Sequence, residues 1–457
     1  MIILLFNMIT DTPELALPRG WRTFLTLWAS QSLSLLATNV AWFAITIYFT
    51  TVVYAADSQR PQLALMVGAL GLLTSGPQII LAPLAGSITD RYSRRSIMLI
   101  CDSVSALVAL MVTLVVWSGS LNVPLLLLGV LLGRVAAVFH ESAFEASYAM
   151  LLPEAQLARA NGLMQTSYSA GAILAPALAA LIIAFPQHLS GGLWGLGNGT
   201  GLVMVLDTLS FVVAALVLFW LRIPSPQERP APGAKTDFRA DFKLGWHYIS
   251  RRRPMLLLVL LVGVTNFALA GVNLYETLLA RFNLDADFVQ RGLSFESGYA
   301  IMTTVTGVGT LLGGLIISSW GGLKRNRIFG LLIPLLVQSL AVLTMGLSRS
   351  LPLTCAALLI FGLSYPLGGA HSAAIWMSQV PRELQGRVFS VRRVVGQSSI
   401  PLGMVVFSVL SARFVPGPVV AVFGVVAVLA IVSALLGKQV RRVEDKTYLD
   451  ELAAQAS

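Results

Sequence analysis

The chain has 457 residues, of which 56% are hydrophobic and only 11% are Asp, Glu, Lys or Arg. A soluble protein of this size carries about 25% charged residues, and a mean hydropathy of +0.79 excludes a soluble enzyme, a nucleic-acid-binding domain and a disordered chain. At about 20 residues per crossing, the apolar content suffices for roughly a dozen membrane helices with short loops, despite a net charge of +10 that would point to nucleic acid in a soluble protein.

Taken in order, the apolar runs of spanning length fall at 23–53, 63–85, 96–118, 122–148, 160–185, 200–222, 254–280, 297–319, 327–347, 352–378, 388–412 and 417–437. Lipid offers no water to the backbone, so each run is read as a helix that satisfies its own polar groups. The long first and tenth runs have room for an internal break. The opening MIILLFNM lacks a basic leader and a long apolar region, so no cleaved signal is expected, and Met8 is a second candidate start. Cys101 and Cys355 lie inside apolar runs, and His140, His188, His247 and His371 are scattered, so neither a disulfide nor a metal site is expected.

Lys and Arg set the orientation. Alternate connections hold 25 basic residues against 5 on the other side, with Arg134 left inside the fourth run. Both termini are therefore expected in the cytoplasm, and the basic excess reads as topology rather than affinity for nucleic acid.

The one long connection, 223–253, opens as PSPQERPAPGAK, a flexible linker. It continues as DFKLGWHYISRRRP, where Phe242, Trp246 and Ile249 recur at helical spacing beside basic residues. That pattern suits a short amphipathic helix on the inner leaflet. It divides the chain into an N-terminal six-helix half (1–222) and a C-terminal half (254–437) followed by a cytoplasmic tail (438–457). The halves echo one another. Pro153 and Arg159 before the fifth run are answered 228 residues later by Pro381 and Arg387, and Arg94-Arg95 by Lys324-Arg325 230 residues on. A repeat near half the chain length marks a duplicated transporter.

An ionised side chain in mid-membrane costs at least about 2.5–3.5 kcal/mol, so each needs a reason. Arg134, Glu141 and Glu145 stand at i, i+7 and i+11 in the fourth run, within about 20° of one direction on a helix. The rise of about 10 Å between Arg134 and Glu141 argues for water or another helix between them. Glu145 falls near the interface, where water solvates it, and His140 points away from this face, toward packing.

Between the second and third runs the chain reads Gly86-Ser-Ile-Thr-Asp90-Arg91-Tyr-Ser-Arg94-Arg95. This resembles the Gly-x-x-x-Asp-Arg-x-x-Arg-Arg loop of the major facilitator superfamily and sits where that family carries it. Arg134 resembles the family's mid-membrane arginine. Gly171 to Leu181 resembles its antiporter Gly-Pro signature, with Ala175 in place of the usual glycine before Pro176. LARANGLMQTSYS and DFKLGWHYISRRRP are similar to the bacterial exporter branch that includes enterobactin and macrolide exporters.

The resemblance implies an all-α membrane protein of twelve transmembrane helices in two pseudo-symmetric halves. It implies that Gly86, Asp90, Arg91, Arg94 and Arg95 lock the cytoplasmic gate, with Gly86 allowing close helix approach. It also implies that the first, fourth, seventh and tenth helices line the cavity. The cavity candidates are then Gln31, Asn39, Trp42, Asn266, Asn273, Tyr365, His371 and Trp376. Glu141 is the first candidate proton carrier, with Arg134 adjusting its proton affinity; Glu145 and Glu276 follow. Asp102 and Asp207, on helices the family places outside the cavity, are read as structural. Gly307, Gly309, Gly313 and Gly314 are read as permitting close packing or bending of the eighth helix.

The expected function is secondary active export of a small amphipathic organic compound by proton antiport across the cytoplasmic (inner) membrane. An importer, a lipid-flipping carrier and a transport-inactive receptor or assembly subunit are the alternatives. No GxxxxGK[ST] loop is present, so the proton gradient rather than ATP is the expected energy source. No cofactor, metal, catalytic constellation or nucleic-acid partner is expected. Substrate, protons and membrane lipids are the expected partners of a monomer.

Overall fold

The computed structural model describes residues 20–118, 122–184, 199–221, 223, 238–269, 272–381 and 384–455. The N-terminal apolar stretch with Met8, the loop holding His188, the Pro-rich linker at 224–237 and the side chain of Asn273 lie outside the described residues. Among the described residues there is no strand.

Twelve helical segments are long and apolar enough to cross a membrane. They are Gly20–Val53, Asp57–Arg91, Arg94–Trp117, Val123–Tyr148, Arg159–Ala184, Thr200–Trp220, Arg253–Phe282, Phe295–Trp320, Arg327–Leu347, Leu351–Gln379, Gln385–Arg413 and Pro416–Leu436, called here the first to twelfth spans. Local chemistry marks their starts. The side chains of Ser93, Asn122 and Ser294 accept the backbone N–H groups of Ser96, Leu125 and Ser297, covering donors that a helix start leaves free.

Two long runs resolve differently from one another. The first ends in a π-helical turn, Phe49–Val53. Thr50 and Thr51 donate their hydroxyls to the carbonyls of Thr46 and Ile47 just before and within it, a side-chain intrusion that bends helices. The tenth is a single helix, Leu351–Gln379, despite Pro366 inside it. The seventh consists of two helices, Arg253–Leu269 and Val272–Phe282. There the Tyr275 hydroxyl donates to the carbonyl of Ala268 at 2.7 Å, satisfying one of the acceptors that a helix end leaves open.

Gly20 and the last helix, Lys446–Gln455, share one face of the bundle, termed the near face; the opposite one is the far face. The apolar packing is organised by these faces. One cluster spans both halves on the far side and includes Phe43, Ala179, Tyr275, Tyr299 and Phe407. On the near side the packing splits in two. Phe24, Met98, Phe144 and Leu218 belong to the N-terminal half alone, whereas Ile249, Met255, Trp376 and Leu449 belong to the C-terminal half.

Cross-half contacts follow the same division. Phe43 stacks on Tyr299 with centroids 4.7 Å apart. Arg281 donates to the carbonyl of Ala55 at 2.7 Å and reaches Asp57 at 3.2 Å. Thr304 of the eighth span donates to the carbonyl of Ile173 of the fifth. The halves are thus joined at the far face and separate toward the near face.

The linker helix, Phe238–Ser250, packs against protein rather than only against lipid. Ile249 is fully buried in the C-terminal core, and the Tyr248 hydroxyl donates to the carbonyl of Gln379 at 2.9 Å. Of the residues read from the sequence as membrane-facing, Phe242 and Ile249 turn inward, while Trp246 points out with Leu244. The tail docks as well. Val443 and Leu449 are buried, Asp450 pairs with Arg252 at 3.0 Å, and Glu444 accepts the backbone N–H of Ile328 at the start of the ninth span.

Within the C-terminal half the eighth span lies against the tenth with almost no space between backbones. A Cβ at Gly309 or Gly313 meets backbone atoms of Leu359 or Leu363, and one at Gly307 meets the fifth span; nothing lies within 4 Å of one at Gly314. Gly314 therefore departs from the close-packing expectation. Gly313→Val should lower the apparent melting temperature of the detergent-solubilised protein by several degrees, because backbone cannot yield. Gly314→Ala should leave it unchanged or slightly raised, since helix-interior glycine costs about 1 kcal/mol relative to alanine. Equal effects at the two positions would contradict this packing.

On the far face, outside the spans, Asp287 accepts from Arg291 at 2.8 Å and from the backbone N–H of Leu351 at 2.8 Å. These bonds, that of the Arg291 side chain first, hold its carboxyl below the ordinary value of 3.8. A depressed folded pKa stabilises above the ordinary value and loses that contribution as pH falls through the folded one. Asp287→Asn should therefore lower thermal stability at pH 7, and the gap from wild type should close as pH drops below 3.8. A gap independent of pH would show that the charge plays no part.

Candidate functional site

The main cavity, of about 230 Å³, lies inside the N-terminal half and is walled by the first, third, fourth, fifth and sixth spans. The first span contributes Gln31, Thr38 and Trp42. Their i, i+7, i+11 spacing places them on one helix face, just as the same spacing aligns Arg134, Glu141 and Glu145 on the fourth.

Arg134 and Glu141 form a direct ion pair, Nη1 to Oε1 at 3.0 Å, with no water or third helix between them. The expectation of an intervening group overlooked side-chain reach. The Cα–Cβ bond of Glu141 tilts toward the helix N-terminus, toward Arg134, and the long arginine closes the remaining gap. The guanidinium also donates to the carbonyl of Thr74 at 3.0 Å and to Gln78 Oε1 at 3.1 Å. Both acceptors flank Pro77 inside the second span, where the missing N–H loosens the helical ladder. One arginine therefore ties the fourth span to the second. Glu145 is exposed and does not line the cavity.

Two further carboxylates reach the cavity from helices expected to lie outside it. Asp102 of the third span is 2% exposed. It accepts from Gln31 Nε2 at 3.3 Å, and His140 Nε2 stands 3.3 Å from its other oxygen. The imidazole contributes proximity rather than an aligned hydrogen bond. His140 thus lines the same cavity as Arg134, correcting the reading that placed it in packing away from that face. Adjacent residues diverge by about 100° on a helix, but a cavity enclosed by several helices accepts both directions. Asp207 of the sixth span is 7% exposed, and its Oδ1 accepts from Thr38 Oγ1 at 2.9 Å. Asp102 and Asp207 do join neighbouring helices, as a structural role requires, and they also face the cavity.

The remaining cavity candidates are placed elsewhere. Asn39 packs on Gly171 of the fifth span. Asn266 donates to the carbonyl of Gly396 at 2.9 Å, and Tyr365 is 63% exposed on the outside of the tenth span. His371 is buried and takes the backbone N–H of Leu323 on Nε2 while Nδ1 meets the carbonyl of Leu367. It anchors the turn after the eighth span. Trp376 is enclosed in the near-side core, with the Arg392 guanidinium 5.4 Å from its ring centroid. Of that set, Gln31 and Trp42 line the cavity.

Glu276 lies in the far-side packing, 1% exposed. Its Oε1 accepts from Thr306 Oγ1 at 2.8 Å, and Oε2 has no partner among the described residues.

The loop motif divides into two kinds of residue. Arg94 donates to the carbonyl of Ala146 at 2.7 Å and touches Met150. Arg95 donates to the carbonyls of Leu218 at 2.9 Å and Phe219 at 2.5 Å. Arg95 covers open acceptors in the last turn of the sixth span, and both arginines bring positive charge toward the negative ends of neighbouring helices, stapling one half internally. Asp90 and Arg91 are exposed, and Asp90 has no ion pair among the described residues. No atom lies within 4 Å of a Cβ at Gly86, so the close approach expected there is absent where the halves are apart.

Twelve spans in two halves joined at one face, with an intramembrane cavity in the N-terminal half that charged side chains reach, define the architecture of a membrane transporter. The model of the Major Facilitator Superfamily matches residues 27–404, and the chain belongs to that family. It is 23% identical over 410 residues to macrolide efflux protein A of Streptococcus pyogenes, covering 86% of this chain and 91% of that one. It is 24% identical over 363 residues to the multidrug efflux pump Tap of Mycobacterium bovis (strain BCG / Pasteur 1173P2), covering 76% and 78%. Among solved structures, nucleoside transporter NupG superposes with a TM-score of 0.67 at 13% identity, over 91% of this chain and 98% of that one. A bacterial homologue of the lysosomal transporter Spinster, in an inward-facing unoccupied conformation, gives 0.60 at 18% identity over 96% of each chain.

The direct ion pair makes a specific expectation. Arg134→Ala and Glu141→Ala should each lower the apparent melting temperature, because each strands the other's charge. The double variant should lower it by less than the two shifts combined, as expected of contacting residues. Strict additivity would show that the two side chains act independently.

Proposed function

We propose that the protein exports a small amphipathic organic compound from the cytoplasm, in exchange for protons entering down their gradient. Several features support this reading together. The Lys and Arg bias of the loops favours a cytoplasmic near face, so the halves part toward the cytoplasm and the arrangement is inward-facing. The cavity is walled mainly by apolar and aromatic side chains with a few polar groups, the make-up of sites for organic ligands. Export agrees with the relatives whose names describe macrolide and multidrug efflux.

The observation that carries the coupling is the Arg134–Glu141 pair and its tie to the second span. A carboxylate beside a guanidinium is held ionised, and one that loses that partner in an apolar setting takes up a proton. The second span is also the helix whose Gly71 packs against Met404 of the eleventh, across the halves. Rocking of the halves therefore strains the contact that holds Arg134 in place, linking access to the protonation of Glu141. In this scheme Asp90 and Arg91, unengaged while the near face is open, find their partners when it closes.

The test is efflux of a fluorescent lipophilic cation from an efflux-deficient bacterial strain, with wild type and Glu141→Gln at matched expression. Wild type should show uncoupler-sensitive efflux, and Glu141→Gln should lose about tenfold or more of it, since the amide cannot carry a proton. Gradient-driven transport retained by Glu141→Gln would overturn the coupling role. Gradient-driven accumulation instead of efflux would overturn export.

A further inference from the structure

Three carboxylates line the cavity, and two of them have a basic side chain beside them. Glu141 is paired with Arg134, and Asp102 lies beside His140. Asp207 has neither. It is buried, its Oδ1 takes one hydroxyl from Thr38, and no partner among the described residues meets Oδ2. A carboxylate in an apolar interior without a counter-ion is costly unless something neutralises it.

The surroundings indicate what that something is. Thr38 and Trp42 stand at i and i+4 on the first span, as do Asp207 and Phe211 on the sixth, and all four line the cavity. Such spacing sets each aromatic ring one turn along the same helix face, so Trp42 and Phe211 are carried beside the Thr38–Asp207 contact. Met204, one turn the other way, completes an apolar rim. Carboxylate and aromatic faces together attract organic cations, the rings through their quadrupoles. Asp207 lies seven residues, about 10 Å, from the far-face start of its helix. It is therefore at the deep end of the cavity, beyond both paired carboxylates for a ligand arriving from the near face.

We propose that Asp207 is the counter-ion for a protonated amine on the transported compound, flanked by Trp42 and Phe211, so that the cavity selects amphipathic amines over neutral or anionic analogues. This specifies the ligand class for the export reading and rests on it for the role of binding, but not for the binding itself. Other charged groups facing the cavity are Asp102, Glu141, Arg134 and His140. The arginine is already held by Glu141, Thr74 and Gln78, which leaves Asp207 as the cavity carboxylate with no basic side chain paired to it among the described residues.

The experiment measures equilibrium binding at pH 7 to purified full-length protein in lipid nanodiscs, with no gradient present. The probes are a dansyl-tagged alkylamine and the dansyl-tagged alcohol of equal chain length. The amine should bind about tenfold or more tightly than the alcohol, and Asp207→Asn should erase that preference through loss of amine affinity, as when one partner of a buried charge pair is removed. Alcohol binding should stay within about twofold, which doubles as the check that the variant folds. Thr38→Val should weaken the amine by a smaller factor. Because binding is read with no gradient present, failure of proton coupling and failure of amine recognition are told apart. Equal binding of amine and alcohol by wild type, no binding of the amine, or an unchanged preference in Asp207→Asn would overturn the proposal.

Discussion

Within an apolar slab, every polar group must find its partner inside the protein, and most features of this structure answer that demand. It makes the spans helical and places capping side chains at helix starts. It also sends Arg95 to the open carbonyls at the end of a neighbouring helix and the Tyr275 hydroxyl to a carbonyl in the last turn of the first part of a divided seventh span. The same demand acts on the charged side chains of the cavity, and there it yields a difference that packing alone cannot. Groups whose partners lie on separate helices are satisfied in one arrangement of those helices and exposed in another.

The distribution of apolar packing shows which arrangement this is. A shared cluster at the far face and two separate clusters at the near face describe two rigid halves hinged at one side. Because helix association in lipid depends on close van der Waals contact, the glycine-mediated approach of the eighth and tenth spans stiffens the C-terminal half. The linker helix and the tail, both docked on that half, extend its rigid body to the near face. The cavity, by contrast, belongs to the N-terminal half, where polar residues replace apolar packing between the first, third, fourth and sixth spans. One half thus carries the chemistry and the other supplies a stiff counterpart.

Arg134 connects these two themes. Its guanidinium binds a carboxylate on its own helix and the backbone of the second span near Pro77, and the second span packs across the halves. A single side chain therefore feels both the charge state of the cavity and the position of a helix at the interface. Glu276, buried in the far-side packing with one oxygen unpartnered among the described residues, meets Thr306 of its own half. Its neighbour Tyr299 forms the stacked contact with Phe43 of the other half.

The sequence by itself determined the number of spans. Apolar run length and the absence of water in lipid leave little freedom at that level. It also determined the alignment of Arg134 with Glu141, since helical periodicity acts within one segment. Only the tertiary structure decided which polar residues meet. Asn39, Asn266, His371 and Trp376 have the composition of cavity residues, yet each is used in packing against a neighbouring segment of the chain. Asp102, Asp207 and His140 face the cavity for the converse reason, that space remains between their helices. Within one helix, spacing specifies direction; between helices, direction acquires meaning only from what stands opposite, and a linear pattern does not encode that.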